Sequence, residues 1–402
     1  MIDITDWSNF LKRTLLTVII IAFYSAASPV ILTGKELPKL LGKPVNSLRV
    51  LDLEGNAVPF QIDQVTSSGE YVLFDGDKPN AHEARGELGQ KDEIVFLWDD
   101  ASHYNENENV SAKKNDGEIV VLSRGKSKRA VIVQSDNSIP LSKKRYIEYD
   151  HSKQQIRTPY YYADFGRNRF HFVKAGITDP KTGQYVHLTN ELRVEILLRA
   201  AWGLIPVRYS EDNIVCLVRR YKAGPIRLIR MGDFHLDLGM GLKGSKAAVN
   251  QICYPQMVEV PVNVNLPVRM RTFFSQAHIE MTPVLREEAS SFKFSAEKES
   301  FTFFAAGEKI DTLHNAIVDG KFFTVSNETF GYGWLLSTSM NPAHLAGSGF
   351  VMRRPSSRRG GIAECGFRLA VRDVPKGSYR INNKIFFTPG INDRDRITVK
   401  LL

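Results

Sequence analysis

The sequence predicts an all-β protein, a small amino-terminal β module followed by a large antiparallel β-sandwich. Two observations carry this. Residues 257–271 alternate almost without error: Val258, Val260, Val262, Val264, Leu266, Val268 and Met270 share one parity, and Glu259, Asn263, Asn265, Arg269 and Arg271 the other. Successive strand side chains point to opposite faces, so this stretch has one core face and one wet face. From Thr158 onward, short alternating stretches are separated by Gly and Pro turns, and no helix longer than a turn or two can be placed. Many such strands make a sandwich or a barrel. The evenly spaced, girdle-flanked strands of an outer-membrane barrel are not evident, so the sandwich is preferred.

Composition sets the class. An apolar share of 43% and a charged share of 24% exclude both a disordered chain and a multispanning membrane protein. Lys and Arg number 53 against 44 Asp and Glu, a net charge of +9 that favours anionic partners: acidic glycans, lipid headgroups or nucleic acid. The amino terminus narrows these. Lys12 and Arg13 precede the uncharged run Thr14–Tyr24, then Ser25-Ala26-Ala27, which reads as a signal peptide cut after Ala27. The run is about half of the roughly 20 apolar residues a membrane-spanning helix needs. The expectation is an exported chain, periplasmic or extracellular, with no integral span after cleavage and no nucleic acid as partner. Cys216, Cys253 and Cys365 allow at most one disulfide and have no zinc spacing.

In chain order, the predicted organisation is a signal peptide (1–27), an amino-terminal β module (28–150) and a large sandwich domain (151–402). The module opens with a hairpin, Ser47–Val50 and Val58–Ile62 around the turn Leu53-Glu54-Gly55-Asn56. Tyr71–Phe74, the acidic turn Asp75-Gly76-Asp77 and the strand Glu93–Leu97 follow. The acidic turn lacks the later ligands of a calcium loop, with Pro79 at the fifth position, and is read as solvated. Strand Glu118–Leu122 lies between the polar stretches His103–Ser111 and Arg124–Arg129, and the region changes near Asp150.

The motifs Pro59-Phe60-Gln61-Ile62-Asp63 and Asp92-Glu93-Ile94-Val95-Phe96-Leu97 resemble the amino-terminal module of uncharacterised exported bacterial β-sandwich proteins, over about 60 residues. Gly224-Pro225-Ile226-Arg227 and Asp373–Arg380 also look similar to such chains. The resemblance implies a galactose-mutarotase-like sandwich and carries over no catalytic residue.

Strands are further predicted at Ile214–Val218, Ile226–Met231, Phe234–Leu238, Val258–Met270, Phe292–Phe294, Phe301–Phe304, Phe322–Val325, Trp334–Ser337, Phe367–Val371 and Lys384–Phe387. On one of them, Asp233, His235 and Asp237 share a face about 7 Å apart per pair. A histidine between carboxylates is oriented and made more basic, as a general base requires, so this trio is the catalytic candidate. The plain alternative is the solvated face of an antiparallel sheet. His278 and Glu280 share a parity and would join that surface if their strand pairs nearby. Arg219, Arg220, Lys222, Arg227 and Arg230 surround the Gly224-Pro225 turn, and Arg353, Arg354, Arg358 and Arg359 form a second cluster. Arginine forks match carboxylates, sulfates and phosphates, although most charge runs only solubilise. Tyr160-Tyr161-Tyr162 with Phe165, Phe170 and Phe172 offers rings for stacking on sugars or for packing the core.

Ligand-binding candidates are therefore Arg219, Arg220, Arg227, Arg353, Arg354, Tyr161, Tyr162, His278 and Glu280, with no cofactor and no metal. Nucleophile elbow, phosphate loop and paired-cysteine motifs are absent from the sequence. The first functional reading is a binder of an anionic polysaccharide or cell-envelope component. The alternative is a carbohydrate-active enzyme, a uronate lyase or a glycoside hydrolase, on the same sheet face. A further alternative is an outer-membrane-associated structural protein.

Overall fold

The computed structural model describes residues 28–105, 117–166, 171–200, 203–239, 242–243, 247–266, 269–290, 292–296, 299–302, 322–327, 330–353, 361–387 and 398–401. The predicted leader, Phe170, Val268, and Arg354, Arg358 and Arg359 lie outside these residues. Among the described residues the regular elements are strands and short 3-10 turns, so the all-β antiparallel class holds. None of their helices is long and apolar enough to cross a membrane.

The described residues fall into two compact units, one made of those within 28–72, 82–145 and 398–401, the other of those within 73–81 and 146–387. The first unit contains β1 (Pro29–Thr33), β2 (Leu48–Leu51), β3 (Phe60–Asp63), β4 (Glu93–Leu97), β5 (Ser102–His103), β6 (Glu118–Arg124) and β7 (Ser127–Ser135). They form a three-stranded sheet, β1-β4-β3, and a sheet in which β7 pairs β2, β5 and β6, while Thr398–Leu401 pairs the far edge of β6. Val30, Leu32, Ile94 and Phe96 of the first sheet pack on Leu48, Val50, Val120, Leu122, Val131 and Val133 of the second. Ile119, Val121, Ala130 and Ile132 pack on its other face. A sheet covered on both faces explains why 119–122 and 130–133 read as unbroken apolar runs.

The predicted opening hairpin is only partly formed. Val58 N–H donates to the Val50 carbonyl at 2.8 Å, but β2 then pairs β7 and β3 pairs β4, in different sheets. Pro59 has no N–H to extend the ladder, which lets the strands part. The DE-hydrophobic-FL motif supplies a fully buried carboxylate, Asp92, which accepts from Val65 N–H at 2.8 Å and Gly89 N–H at 2.7 Å and pairs with Arg85.

The second unit contains β8 (Glu148–Asp150), β9 (Gln155–Arg157), β10 (Tyr161–Asp164), β11 (Lys174–Thr178), β12 (Tyr185–Ala200), β13 (Ile205–Tyr209), β14 (Ile214–Ala223), β15 (Leu228–Gly239), β16 (Leu242–Lys243), β17 (Ala247–Cys253), β18 (Met257–Leu266), β19 (Phe274–Leu285), β20 (Lys293–Ala296), β21 (Glu299–Thr302), β22 (Phe322–Ser326), β23 (Gly331–Thr338), β24 (Gly349–Arg353), β25 (Ala363–Ala370) and β26 (Gly377–Phe386). One sheet runs β24-β25-β19-β12-β11-β10-β9-β8 with β13 on β12. The other runs β14-β15-β17-β18-β26-β23-β22-β20-β21 with β16 on β15. Their inner faces interdigitate. Phe323 of the second sheet lies 5.0 Å from Phe367 and 5.9 Å from Phe350 of the first, and Trp334 stands edge-on to Phe367 at 5.5 Å. Such ring pairs add to the area they bury.

Two expectations are corrected. The strands predicted at Ile226–Met231 and Phe234–Leu238 are one strand, β15, because Gly232 and Asp233 continue its pairing with β17 instead of turning. The long alternating strand ends at Leu266, and Met270 lies in a 3-10 turn. Asp75-Gly76-Asp77 is an exposed turn, as expected, and it is anchored to the edge of β14, where Asp75 and Tyr221 exchange backbone bonds at 3.1 and 2.9 Å. Gly76 has φ +109°, and a Cβ there would stand 2.5 Å from the Arg219 carbonyl, so the turn needs glycine for both conformation and space.

Candidate functional site

The outward face of the nine-stranded sheet is polar and concave at one end. Pairing sets two rows across the strands. Glu148, Arg157, Tyr162, Gly176 and His187 stand opposite one another in turn from β8 to β12, and Asp150, Gln155, Asp164 and Lys174 form the next row. The intervening residues Ile156, Tyr161, Ala163, Ala175 and Ile177 are buried in the core, as the period of two requires. A cavity of about 250 Å³ is lined by Gln155, Ile156, Arg157, Tyr162, Asp164, Lys174, Tyr185 and His187. A second, of about 240 Å³, shares Gln155 and Arg157 with it and continues toward Glu148 and Lys153.

A glycine shapes this site. Tyr162 and His187 lie on strands separated by β11, and the residue between them is Gly176. A Cβ at Gly176 would stand 2.4 Å from Tyr162 Cε1. Its absence lets the Tyr162 ring lie across β11, and the Tyr162 hydroxyl hydrogen-bonds His187 Nδ1. Tyr185 packs edge-on to Tyr162 at 5.1 Å and is held by donating its hydroxyl to the Thr158 carbonyl at 2.9 Å.

Charge around the pair is mixed but mostly cationic. Burial pushes the Tyr162 hydroxyl up to about 12, against the pull of Arg286. Burial also lowers the His187 pKa, reinforced by Lys174 and Arg286. At neutral pH both groups are therefore uncharged, one able to donate a proton and the other able to accept one. Asp164 is engaged by Gln155 Nε2 at 3.2 Å and by the Gly166 N–H at 2.9 Å. Arg157 and Lys174 form no side-chain hydrogen bond or ion pair among the described residues. Two uncommitted cations beside two tyrosines make a cavity suited to an anionic ring compound.

Farther along the same face lies an arginine–glutamate lattice. Glu280 accepts from Arg353 Nη1 at 2.8 Å and Arg368 Nε at 2.7 Å, and Glu364 accepts from Arg353 Nε at 2.8 Å and Arg193 Nη1 at 2.9 Å. Glu195 is shared by Arg193 and Arg208. His278 Nε2 sits 3.8 Å from Glu280. Glu195, Glu280 and Glu364 are all buried. Burial alone would raise the Glu280 carboxyl, but Arg353 and Arg368 outweigh it and hold the pKa low. Glu280 and Glu364 accept from guanidinium groups on both oxygens, whereas Glu195 Oε2 has only Arg353 Nη2 at 3.7 Å, beyond hydrogen-bond distance; the lattice works as cross-strand structure.

The structure thus gathers His278, Glu280 and Arg353 from the sequence candidates, and places Tyr162 on the same sheet face, in the cavity. It does not bring Asp233, His235 and Asp237 to them, because β15 and β19 belong to different sheets. Asp233 receives Arg219 Nε at 2.8 Å, both side chains being part-exposed; His235 is half-buried and Asp237 exposed. Phe234, of the other parity, packs with Cys216 and Val249. The side chains of Leu236 and Leu238 lie outside the described residues. Arg220 Nε contacts Met231 Sδ at 2.9 Å. Arg227 is fully buried with Nη1 3.0 Å from the Tyr254 hydroxyl, so it packs the interior instead of facing a ligand. Tyr161 is likewise in the core, stacked on Phe387 at 4.0 Å. Cys216, Cys253 and Cys365 are free, buried thiols.

Arg157, Lys174, Tyr185 and His187 were not singled out by the sequence. Tyr185 and His187 share the parity of Arg193 and Glu195 along β12, but the residues that complete the cavity with them, Arg157, Tyr162 and Lys174, come from three other strands, which parity along one strand does not reveal.

No family model and no curated protein sequence matches the chain. Among solved structures, the chain is similar to an alpha-mannosidase from Enterococcus faecalis at 10% identity and TM-score 0.42, covering 94% of this chain and 45% of that one. It is also similar to a protein in glycosyl hydrolase family 38 from Enterococcus faecalis at 9% identity and TM-score 0.41, with the same coverage. The chain therefore spans less than half the length of either.

Proposed function

We propose that the larger unit binds an acidic glycan on the outward face of its nine-stranded sheet, as an exported protein acting in the periplasm or outside the cell. The observation that carries this reading is the cavity in which Arg157 and Lys174 stand uncommitted beside Tyr162 and Tyr185. Tyrosine faces take the apolar side of a sugar ring, and the cations take its carboxylate or sulfate. The leader-like amino terminus and the net charge of +9 support export and an anionic partner.

The test is binding of acidic and neutral polysaccharides over a range of salt. Acidic polymers should bind and release as salt rises, while neutral polymers should not bind. Tyr162→Ala, and Arg157→Ala with Lys174→Ala, should each weaken binding about tenfold or more, which corresponds to roughly 1.4 kcal/mol. Equal affinity for neutral polymers, or unchanged affinity in both variants, would sink the reading.

A further inference from the structure

Resting on that reading, we infer that the Tyr162–His187 pair makes the cavity a catalytic centre for β-elimination on a 4-linked uronate, and that it selects uronates whose C5 hydrogen and C4 oxygen lie on one face of the ring. The argument is geometric. Both side chains rise from the same face of the sheet, on either side of a glycine that leaves the space between them open. They are joined through the Tyr162 hydroxyl and His187 Nδ1, which leaves Nε2 of the imidazole as the second nitrogen of the pair. Lys174 and Arg157 supply positive charge beside them; Arg286 adds its field on both groups but is ion-paired with Glu288, whose charge acts on both in the opposite sense.

The step balances within the pair. With His187 carrying its proton on Nδ1 and donating it to the tyrosine oxygen, Nε2 takes the hydrogen from C5. The electrons of that C–H bond form the C4–C5 double bond, the C4–O4 bond breaks, and O4 takes the proton of the Tyr162 hydroxyl. The products on the protein are an imidazolium and a phenolate already in hydrogen-bond contact. Transfer of the Nδ1 proton to the phenolate restores two neutral groups, and exchange of the imidazole tautomer through water completes the cycle. No oxidant, metal or further co-reactant is needed. Negative charge gathers on the uronate carboxyl group as the C5 hydrogen leaves, and the lysine and arginines stabilise it there. An uncharged imidazole and an un-ionised phenol at neutral pH are the forms the step requires.

Stereochemistry follows from the single face. Base and acid approach the sugar from one side, so the hydrogen and the leaving oxygen must be cis. They are cis in gluco- and manno-configured uronates and trans in galacto- and gulo-configured ones. All four carry the same charge, so a split in cleavage among polymers that bind reports the elimination geometry and separates catalysis from binding.

The experiment incubates the full chain with four 4-linked polymers: a glucuronan, a polymannuronate, a polygalacturonate and a polyguluronate. Binding is read by calorimetry and cleavage by the ultraviolet absorbance of the new conjugated double bond. The expected result is cleavage of the first two only. Tyr162→Phe should lose at least about 100-fold in kcat with binding retained, the scale of a lost general acid. The kcat/KM profile should rise as His187 deprotonates, below the ordinary 6.5, and fall only at high pH as Tyr162 ionises toward about 12. Cleavage of the galacto or gulo polymer at comparable rates overturns the one-face geometry, and full turnover by Tyr162→Phe overturns the assignment. Binding with no double bond in any polymer overturns elimination and leaves the glycan reading standing. Absence of both overturns the two together.

Discussion

Tyr162 and His187 lie on strands that do not pair with each other, yet the hydroxyl of one reaches the ring nitrogen of the other. The strand between them contributes Gly176 at the crossing point. Gly176→Ala places a methyl group 2.4 Å from the Tyr162 ring and 2.6 Å from the Val186 carbonyl. It should destabilise the larger unit by about 1–3 kcal/mol, the usual cost of forced overpacking, and weaken acidic-glycan binding as Tyr162→Ala does. Thermal melting and calorimetry check this, and a variant with unchanged melting and binding would show that the tyrosine ring has another resting place.

The buried carboxylate Glu280 gives a prediction about pH. Its folded pKa is lowered, so its contribution to stability is fully present above the ordinary 4.5 and is lost as pH falls through the depressed folded value. Glu280→Gln leaves Arg353 and Arg368 without that partner and should cost about 3–5 kcal/mol at neutral pH. Below pH 4.5 the gap between the variant and the parent should narrow. Denaturant titrations at pH 7 and in steps from pH 4.5 downward measure it; a gap that stays constant would remove Glu280 from the acid response.

Phe367 touches Phe323 and Trp334 across the sandwich and Phe350 beside it in its own sheet. Its truncation to alanine should cost about 3–5 kcal/mol as a large core deletion. His235→Ala, on the outward parity of β15, should change stability by no more than about 0.5 kcal/mol. If the histidine variant melts far below the phenylalanine one, the inward and outward faces have been exchanged.

In the smaller unit, Asp92→Ala strands the Val65 and Gly89 N–H groups and the Arg85 guanidinium around an empty site. The loss should be about 3–5 kcal/mol, with Asp92→Asn intermediate because an amide keeps one acceptor. Limited proteolysis should show cleavage of the Gln64–Lys91 region first. An intact, equally stable Asp92→Ala chain would mean that the loop is held by its apolar contacts.

What the sequence determined by itself is the class of structure and the sidedness of its strands. Period-two alternation is a local property, so Val258 through Leu266, Leu192 with Val194, and Phe234 against Asp233 and His235 could be sorted into inner and outer sets from residue types alone. What it could not determine is which outward residues share a sheet. Asp233, His235 and Asp237 and the pair His278 and Glu280 have the same alternation, yet pairing puts them in different sheets. Tyr162 and His187 are 25 residues apart and meet only because β11 runs between their strands with a glycine at the crossing. Arg227 and Arg230 look like surface cations beside a turn, and tertiary packing encloses both, Arg230 with its guanidinium 4.1 Å from the Phe165 ring. Alternation assigns a side chain to a face. Register and strand order, fixed by long-range hydrogen bonding and by the fit of one sheet on the other, decide what else is on that face and whether it is open or covered.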